Sequence, residues 1–539
     1  MNTILYNGNI ITMDSKSPKS EALFIRDNKF FKVGKNEEIF SLKDENTRLI
    51  DLENKTVVPG FNDSHMHLVN FANSLHMIPL TNCKSIDDLI GMGKDYLSTN
   101  PNHKDWIIGR GWNQDNFHEK EFPTRYDLDK ISTEFPVCYV RACGHVLVVN
   151  SKALEMADID SSSSQVDGGY FDVDTHNNPL GIFRENALNL IYKKIPTPTV
   201  DEIKKIILDA CKLALADGIT SIQTDDFEAF PDKDFHKIIK AYKELNNEGK
   251  LPIRIYEQCL LQNTERLNSF LSKGYSTGYG DDFFKIGPLK LLADGSLGAR
   301  TAYLSQPYAD DSTTCGIGVF TQDELDELVL TAHKNNMQVA IHCIGDKIMD
   351  MSFKSIKNAL DKAPKSDHRH GIVHAQITTN KLIDEFKENN VLAYIQPIFL
   401  DYDIHIVEDR VGKDRAKETY NFKTLMDNGV HTAYGSDCPV EPFNVFRGIY
   451  SAVTRQDLSG YPKNGWLPNE KVSVEDALYN FTHEGAYASF EENVKGLIKE
   501  NYLADFVVLD RDILNITPEE IKDTKVLMTF VDGELKYKK

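Results

Sequence analysis

The sequence predicts a (β/α)8 barrel, a small composite β-sandwich built from both ends of the chain, and a subdomain inserted after the first barrel strand. Three observations predict it. Through the middle of the chain, short apolar strands alternate with amphipathic helices, and eight such strands can be counted. Both termini are β-rich where the middle is not. Roughly 150 residues separate the first of the eight strands from the second, where a short loop is the rule.

The elements follow in order. Thr3–Tyr6 and Asn9–Thr12 flank Asn7-Gly8, which signals a hairpin. Ala22–Arg26, Phe30–Val33 and Arg48–Leu52 are further strands, matched at the far end by Leu503–Leu509 and by Val526–Val531 turning at Asp532-Gly533. Residues 1–58 and 495–539 are thus expected to form the sandwich, and 59–494 the barrel, with 70–200 as a substrate or lid subdomain overhanging its mouth. Asp201–Asp217 places Ile203, Ile206, Ile207, Ala210, Leu213 and Ala214 at helical spacing, stops at Gly218, and gives way to the strand Ile219–Gln223. The same helix-then-strand order recurs at Asp323–His342, Lys381–Gln396 and Phe422–Tyr434. A doubly wound sheet is disfavoured because no Gly-x-Gly-x-x-Gly follows any strand.

A formal charge of −20, spread along the chain, disfavours nucleic acid or an anionic membrane as partner. No stretch approaches the ~20 apolar residues of a membrane span. The first residues lack the basic and apolar regions of a signal peptide. Eight scattered cysteines without Cys-x-x-Cys argue for reduced thiols, so the cytoplasm is the expected compartment. A homodimer is expected, with no surface pattern behind it.

The chemistry lies at strand ends. Val57-Val58-Pro59-Gly60-Phe61 runs on to His65-Met66-His67, and histidines at i and i+2 project from one face of a strand, where they can bind one divalent cation. Among 16 histidines roughly half a His-x-His arises by chance, so the pair needs partners. A second copy, His368-Arg369-His370, follows a polar run and reads as a loop accident. Partners for the first stand at other strand ends: Lys290 in strand four, His342 closing strand five, His374 closing strand six and Asp437 after strand eight.

The stretches PGFNDSHMHL, KLLADGSLGARTAYLSQPY, AIHCIGD, GIVHAQ and GSDCPVEP resemble the metal-dependent amidohydrolase superfamily, in the branch of N-substituted formamide deformylase and YtcJ-like proteins. The resemblance spans essentially the whole chain. It implies that His65 and His67 bind the more buried metal and His342 and His374 the more exposed one. It further implies that Lys290, carboxylated by carbon dioxide, bridges two metals, and that Asp437 touches metal and acts as general base. One or two divalent ions are expected, zinc by the donor types. The implied reaction is hydrolysis of a non-peptide C–N bond, an N-acyl or N-formyl amide, by metal-activated hydroxide.

Substrate contacts are sought in the insertion and in the loop after strand four. Trp112 reads as a pocket wall or as packing, and His145 as a hydrogen-bond donor to the polarised carbonyl or as part of the subdomain core. Arg184 and Glu185 read as an ion pair stabilising the lid. Asp294 and Ser296 follow Lys290 on its loop. Two alternatives compete. Ring-amidine deaminases lack the strand-four lysine and carry Glu shortly after the strand-five His, whereas here Cys343-Ile344-Gly345-Asp346 follows His342. A non-catalytic metal-holding or regulatory protein has no need of all six site positions, and all six are intact.

Overall fold

A computed structural model describes residues 2–101, 104–142 and 144–539, so that Cys143 lies outside the described residues. The chain divides into two compact units. The first comprises Met1–Val69, Ile203–Glu228 and Asp234–Lys539, and the second Asn70–Glu202 with Ala229–Lys233.

The first unit contains the barrel. Its eight strands are Phe61–Met66, Ile219–Thr224, Arg254–Leu260, Phe284–Leu292, Val339–Cys343, Gly371–His374, Leu392–Ile395 and Thr432–Tyr434, adjacent in chain order. Each pairs in parallel with the next. Helices lie between them for reasons local to the sequence. Gln322–Lys334, for example, opens on a capping box of Thr321 and Glu324 and buries Leu325, Leu328, Val329 and Ala332 at helical spacing.

The first and eighth strands meet at their carboxyl ends. Asp437 N–H donates to His65 O and His67 N–H to Cys438 O, both at 2.8 Å. The buried Asp63 carboxylate accepts from the Ser436 N–H at 3.0 Å and from its hydroxyl at 2.6 Å. Gly435 permits this approach, since a Cβ there would stand 2.6 Å from His65 N.

Sequence reading treats Val57–His67 as one strand, but the structure divides it. Thr56–Pro59 pairs with Asn9–Ile11 and Phe506–Leu509 in a six-stranded sheet, and only Phe61–Met66 belongs to the barrel. The break falls at Gly60, whose missing Cβ would lie 2.3 Å from Thr220 Oγ1. A four-stranded sheet faces the six-stranded one, and Leu5, Leu23, Phe30, Val57, Phe506 and Phe530 share their core, so both chain ends build one sandwich. The expected Asn7-Gly8 hairpin does not form. Thr3–Tyr6 pairs with Ala22–Arg26 and Arg48–Asp51, while Asn9–Ile11 joins the other sheet, so the turn is a crossing between layers. Both neighbouring strands have an apolar side to bury, and the sandwich has two sheets to receive them.

Arg254, at the start of the third barrel strand, is 2 % exposed and clamps two sandwich carboxylates. It reaches Asp505 at 2.7 and 3.0 Å and Asp532 at 2.7 Å. Arg254→Ala leaves those carboxylates uncompensated, and a loss of about 3–5 kcal/mol is expected, read as a lowered urea midpoint.

His368-Arg369-His370 lies in a loop and outside the metal centre, as expected, but it is buried. His368 and His370 are 3 % and 1 % exposed, and the run leads straight into the sixth strand. Polar residues are tolerated there because their ring nitrogens are paired.

In the second unit six strands order as Gly169–Val173, Pro179–Glu185, Val146–Val149, Val137–Arg141, Ile107–Trp112 and Ile78–Pro79. Alternation along Val137–Arg141 feeds two cores: Val137 and Tyr139 pack with Leu89, Trp112 and Leu128, and Cys138 and Val140 with Leu154, Phe171 and Ile191. All seven cysteines among the described residues are free thiols. No helix among those residues is long and apolar enough to cross a membrane.

Candidate metal centre

His65, His67 and Asp437 converge at the seam of the barrel. One ligand atom from each lies within 4.8 Å of the others. Asp437 Oδ1 stands 3.0 Å from His67 Nε2 and 3.3 Å from His65 Nε2. Two atoms bound tetrahedrally to one zinc ion at ~2.0–2.1 Å are about 3.3 Å apart, so this donor set fits a single cation. The Asp437 backbone has a φ of +60°, and His374 and Ala375 have +75° and +45°. Left-handed backbone at non-glycine residues costs energy and clusters at functional sites.

Lys290 is fully buried beside this group, its Nζ 3.4 Å from His65 Nε2 and 3.2 Å from Asp225 Oδ2. His374 packs edge-on against His65 with ring centroids 5.9 Å apart and against His342 at 4.4 Å. The structure therefore brings together all six residues expected at the strand ends.

Four residues that sequence reading did not single out, or assigned otherwise, orient the four rings. His65 Nδ1 bonds Gln258 Oε1 at 2.8 Å, His374 Nδ1 bonds Gln396 Oε1 at 2.7 Å, and His342 Nδ1 bonds Asp294 Oδ1 at 2.9 Å. His67 Nδ1 is hydrogen-bonded to Asp225. With Nδ1 occupied, each Nε2 is left available to a cation. The pattern is paired: in each of the two sets, His65 with His67 and His342 with His374, one ring is backed by an amide and the other by a carboxylate.

The same contacts set the electrostatics. Burial pushes His65 below the ordinary imidazole range, and the Lys290 charge adds to that. Burial also opposes charge on His67, but Asp225 and Asp437 outweigh it and hold His67 well above that range. Both carboxylates are desolvated, yet they stay ionised. Asp225 is held at about 2 by His67 and Lys290, and Asp437 well below the usual carboxylate range by His65 and His67. Burial, reinforced by His342, keeps His374 neutral. Two imidazole nitrogens and a carboxylate oxygen meeting within 4.8 Å form a donor set suited to a divalent cation.

The expected substrate contacts fare differently. Asp294 is a brace: 5 % exposed, its carboxylate accepts from His342 and from the N–H groups of Tyr303, Ile344 and Gly345 at 2.8–3.1 Å. Ser296 is exposed and supports its own turn, its carbonyl accepting from the N–H groups of Thr301 and Ala302. Trp112 is fully buried in the second unit, its indole N–H donated to Tyr139 O at 2.9 Å and its ring against Phe117 and Phe122. Its surroundings are those of a core residue. Trp112→Ala is expected to destabilise the second unit by about 3–5 kcal/mol, seen as new protease cuts within 70–202 at unchanged metal content. Arg184 and Glu185 do not pair with each other, because neighbours on a strand point to opposite faces. Arg184 instead forks onto Asp172 at 2.9 and 3.1 Å, and Glu185 meets His145 at 3.0 Å. His145 is exposed, so it does not complete the subdomain core.

Asp225 was within reach of sequence reasoning. It directly follows the strand Ile219–Thr224, the same strand-end position that marks the histidines, although that strand is mostly polar. Gln258 lies within its strand and reads as a gap in the run, whereas Gln396 directly follows the apolar strand Leu392–Ile395 and carries the strand-end signal.

Comparison with known proteins agrees with this geometry. Residues 48–537 match the model of the amidohydrolase family. YtcJ of Bacillus subtilis (strain 168) is 32 % identical over 546 aligned residues, covering 100 % of both chains. N-substituted formamide deformylase of Arthrobacter pascens is 22 % identical over 99 % of this chain and 98 % of its own. A crystal structure of an uncharacterised metal-dependent hydrolase from Pyrococcus furiosus superposes with a TM-score of 0.79 at 31 % identity, covering 96 % of this chain and 100 % of the other. With strand-end histidines, a buried lysine and an ionised aspartate gathered at the mouth of one barrel, the chain belongs to the amidohydrolase family.

Proposed function

We propose that the protein is a metal-dependent hydrolase cleaving a non-peptide C–N bond, that of an N-acyl or N-formyl amide. The observation that carries this reading is the convergence of His65, His67 and Asp437 on one cation-sized centre, with Lys290, His342 and His374 around it. The deformylase relative lends the choice of amide. A divalent cation held there, zinc by its donor set, would polarise the substrate carbonyl and acidify a water.

The chain's own residues supply the rest. Asp437 is ionised and so is ready to accept a proton from the attacking water. It then delivers that proton to the departing nitrogen, which cannot leave as an amide anion. Gln258, Asp225, Asp294 and Gln396 hold the rings in place, which removes the cost of ordering them during turnover. Lys290 is proposed to give up its ammonium proton and then combine with carbon dioxide, releasing a second proton, to give a carbamate whose oxygens would join His342 and His374 in holding a second cation.

The test is amine release from a panel of N-formyl, N-acetyl and cyclic amides, using protein loaded with zinc and bicarbonate, beside Asp437→Asn. Turnover that disappears in the variant supports the reading and names the acyl group. Ammonia released from ring amidines in place of amides moves the chain to deamination. No turnover on either panel with metal bound moves it to a binding role.

A further inference from the structure

The second His-x-His of the chain belongs to a buried cluster that the metal centre does not use. His333 comes from the helix Gln322–Lys334, and His368 and His370 from the segment entering the sixth barrel strand; they are 4 %, 3 % and 1 % exposed. Their hydrogen bonds leave one consistent set of protons. The Val339 N–H donates to His370 Nδ1 at 3.0 Å, so the His370 proton sits on Nε2. That Nε2–H donates to His333 Nδ1 at 2.9 Å, and His333 Nε2–H donates to Ala363 O at 2.6 Å. A branch repeats the pattern: the His370 N–H donates to His368 Nδ1 at 2.9 Å, and His368 Nε2–H to Asn389 O at 3.0 Å.

All six ring nitrogens are therefore used, three as donors and three as acceptors, and all three rings are neutral. The acceptors are the only places for another proton, and each already faces an N–H. A proton added to any ring sets two hydrogens against each other, and the bond between them is lost.

We propose that this histidine relay is an acid-released lock on the fifth and sixth barrel strands. At neutral pH it ties Val339, which begins the fifth strand, to the loop that begins the sixth, and on acidification it lets them part. The far ends of these two strands carry His342 and His374, so the device sits beneath half of the metal centre without touching it.

The surrounding charges do not reverse the sign. Among the described residues, Lys365 opposes a further proton on both loop histidines, while Asp367 favours one on His368 and is outweighed there by burial. Arg369, between them in sequence, is committed to Glu492 and Asp367. Val339, Ala363 and Asn389 contribute uncharged backbone groups. Burial holds His370 well below the ordinary imidazole range and lowers His368 as well. A histidine neutral in the fold but protonated when released favours opening below its unfolded pKa of ~6.5.

Amide hydrogen exchange on the zinc-loaded protein tests the lock, comparing peptides over 337–345 and 367–376 with a sandwich control over 506–531, after correction for intrinsic rates. From pH 7.5 to 5.5 the opening constant of the two barrel peptides is expected to rise roughly tenfold for each histidine released, with the control unchanged. His370→Asn, which offers an amide oxygen to the Val339 N–H but does not titrate, is expected to remove one histidine's share. Equal exchange at both pH values, or a rise of the same size in the control, overturns the proposal. If the variant misfolds, the wild-type comparison alone decides.

Discussion

Asp437→Asn is expected to retain the fold and lower kcat by about 10²–10⁴-fold, the range lost with a general acid–base group. Asparagine keeps the shape and an oxygen donor, but loses the negative charge that His65 and His67 face at 3.3 and 3.0 Å. It also cannot accept a proton from water. The measurement is steady-state kinetics on the amide hydrolysed fastest by the wild type, with zinc content determined on the same samples. A fall in kcat at full zinc occupancy assigns the loss to proton transfer. Unchanged kcat at full occupancy would remove Asp437 from the chemistry.

Asp225→Asn tests the orienting residues. Asp225 accepts from His67 Nδ1 and from Lys290 Nζ, so one substitution loosens two of the six residues at the centre. Zinc affinity is expected to fall about 10–100-fold, as when an outer partner of a metal-ligating histidine is removed. The pH dependence is informative. His67 is held well above the ordinary imidazole range, so without metal it is protonated at neutral pH, and zinc must displace that proton. Wild-type affinity is therefore expected to rise with pH through the neutral range. Asp225→Asn removes the carboxylate that does most to keep His67 protonated, so the dependence should flatten there. Competition with a chelator at several pH values measures both effects. A uniform loss of affinity with the wild-type pH slope would mean that Asp225 acts on geometry alone.

Much of the site is legible in the sequence because a barrel imposes a simple rule. Parallel strands all end at the same rim, so a polar residue closing an apolar run in several strands must face a common space. His65, His67, His342, His374 and Asp437 are marked by that rule, while Lys290 lies two residues inside the end of its strand and owes its expected role to the family resemblance. The composite sandwich is legible because the short strands at both ends lie outside the regular helix-and-strand alternation of the barrel, which leaves them as each other's natural partners.

Pairing and support are not legible, because they depend on which residues meet across hundreds of positions of chain. Asn7-Gly8 has the local signature of a hairpin, yet the adjoining strands go to different sheets, each taking the partner that buries its apolar side. Arg184 and Glu185 are neighbours in sequence, but the strand turns them to opposite faces and gives them Asp172 and His145. His368-Arg369-His370 is a polar run by composition, and becomes core only because His333, Ala363, Val339 and Asn389 complete its hydrogen bonds. The chain by itself thus determined the barrel, the sandwich and the set of groups that gather at the rim, since these follow from periodicity and from where apolar runs end. Tertiary structure alone decided which ring nitrogen faces the centre, through Gln258, Asp225, Asp294 and Gln396, because a hydrogen bond of 2.7–2.9 Å is a property of two positions in space and of neither in sequence.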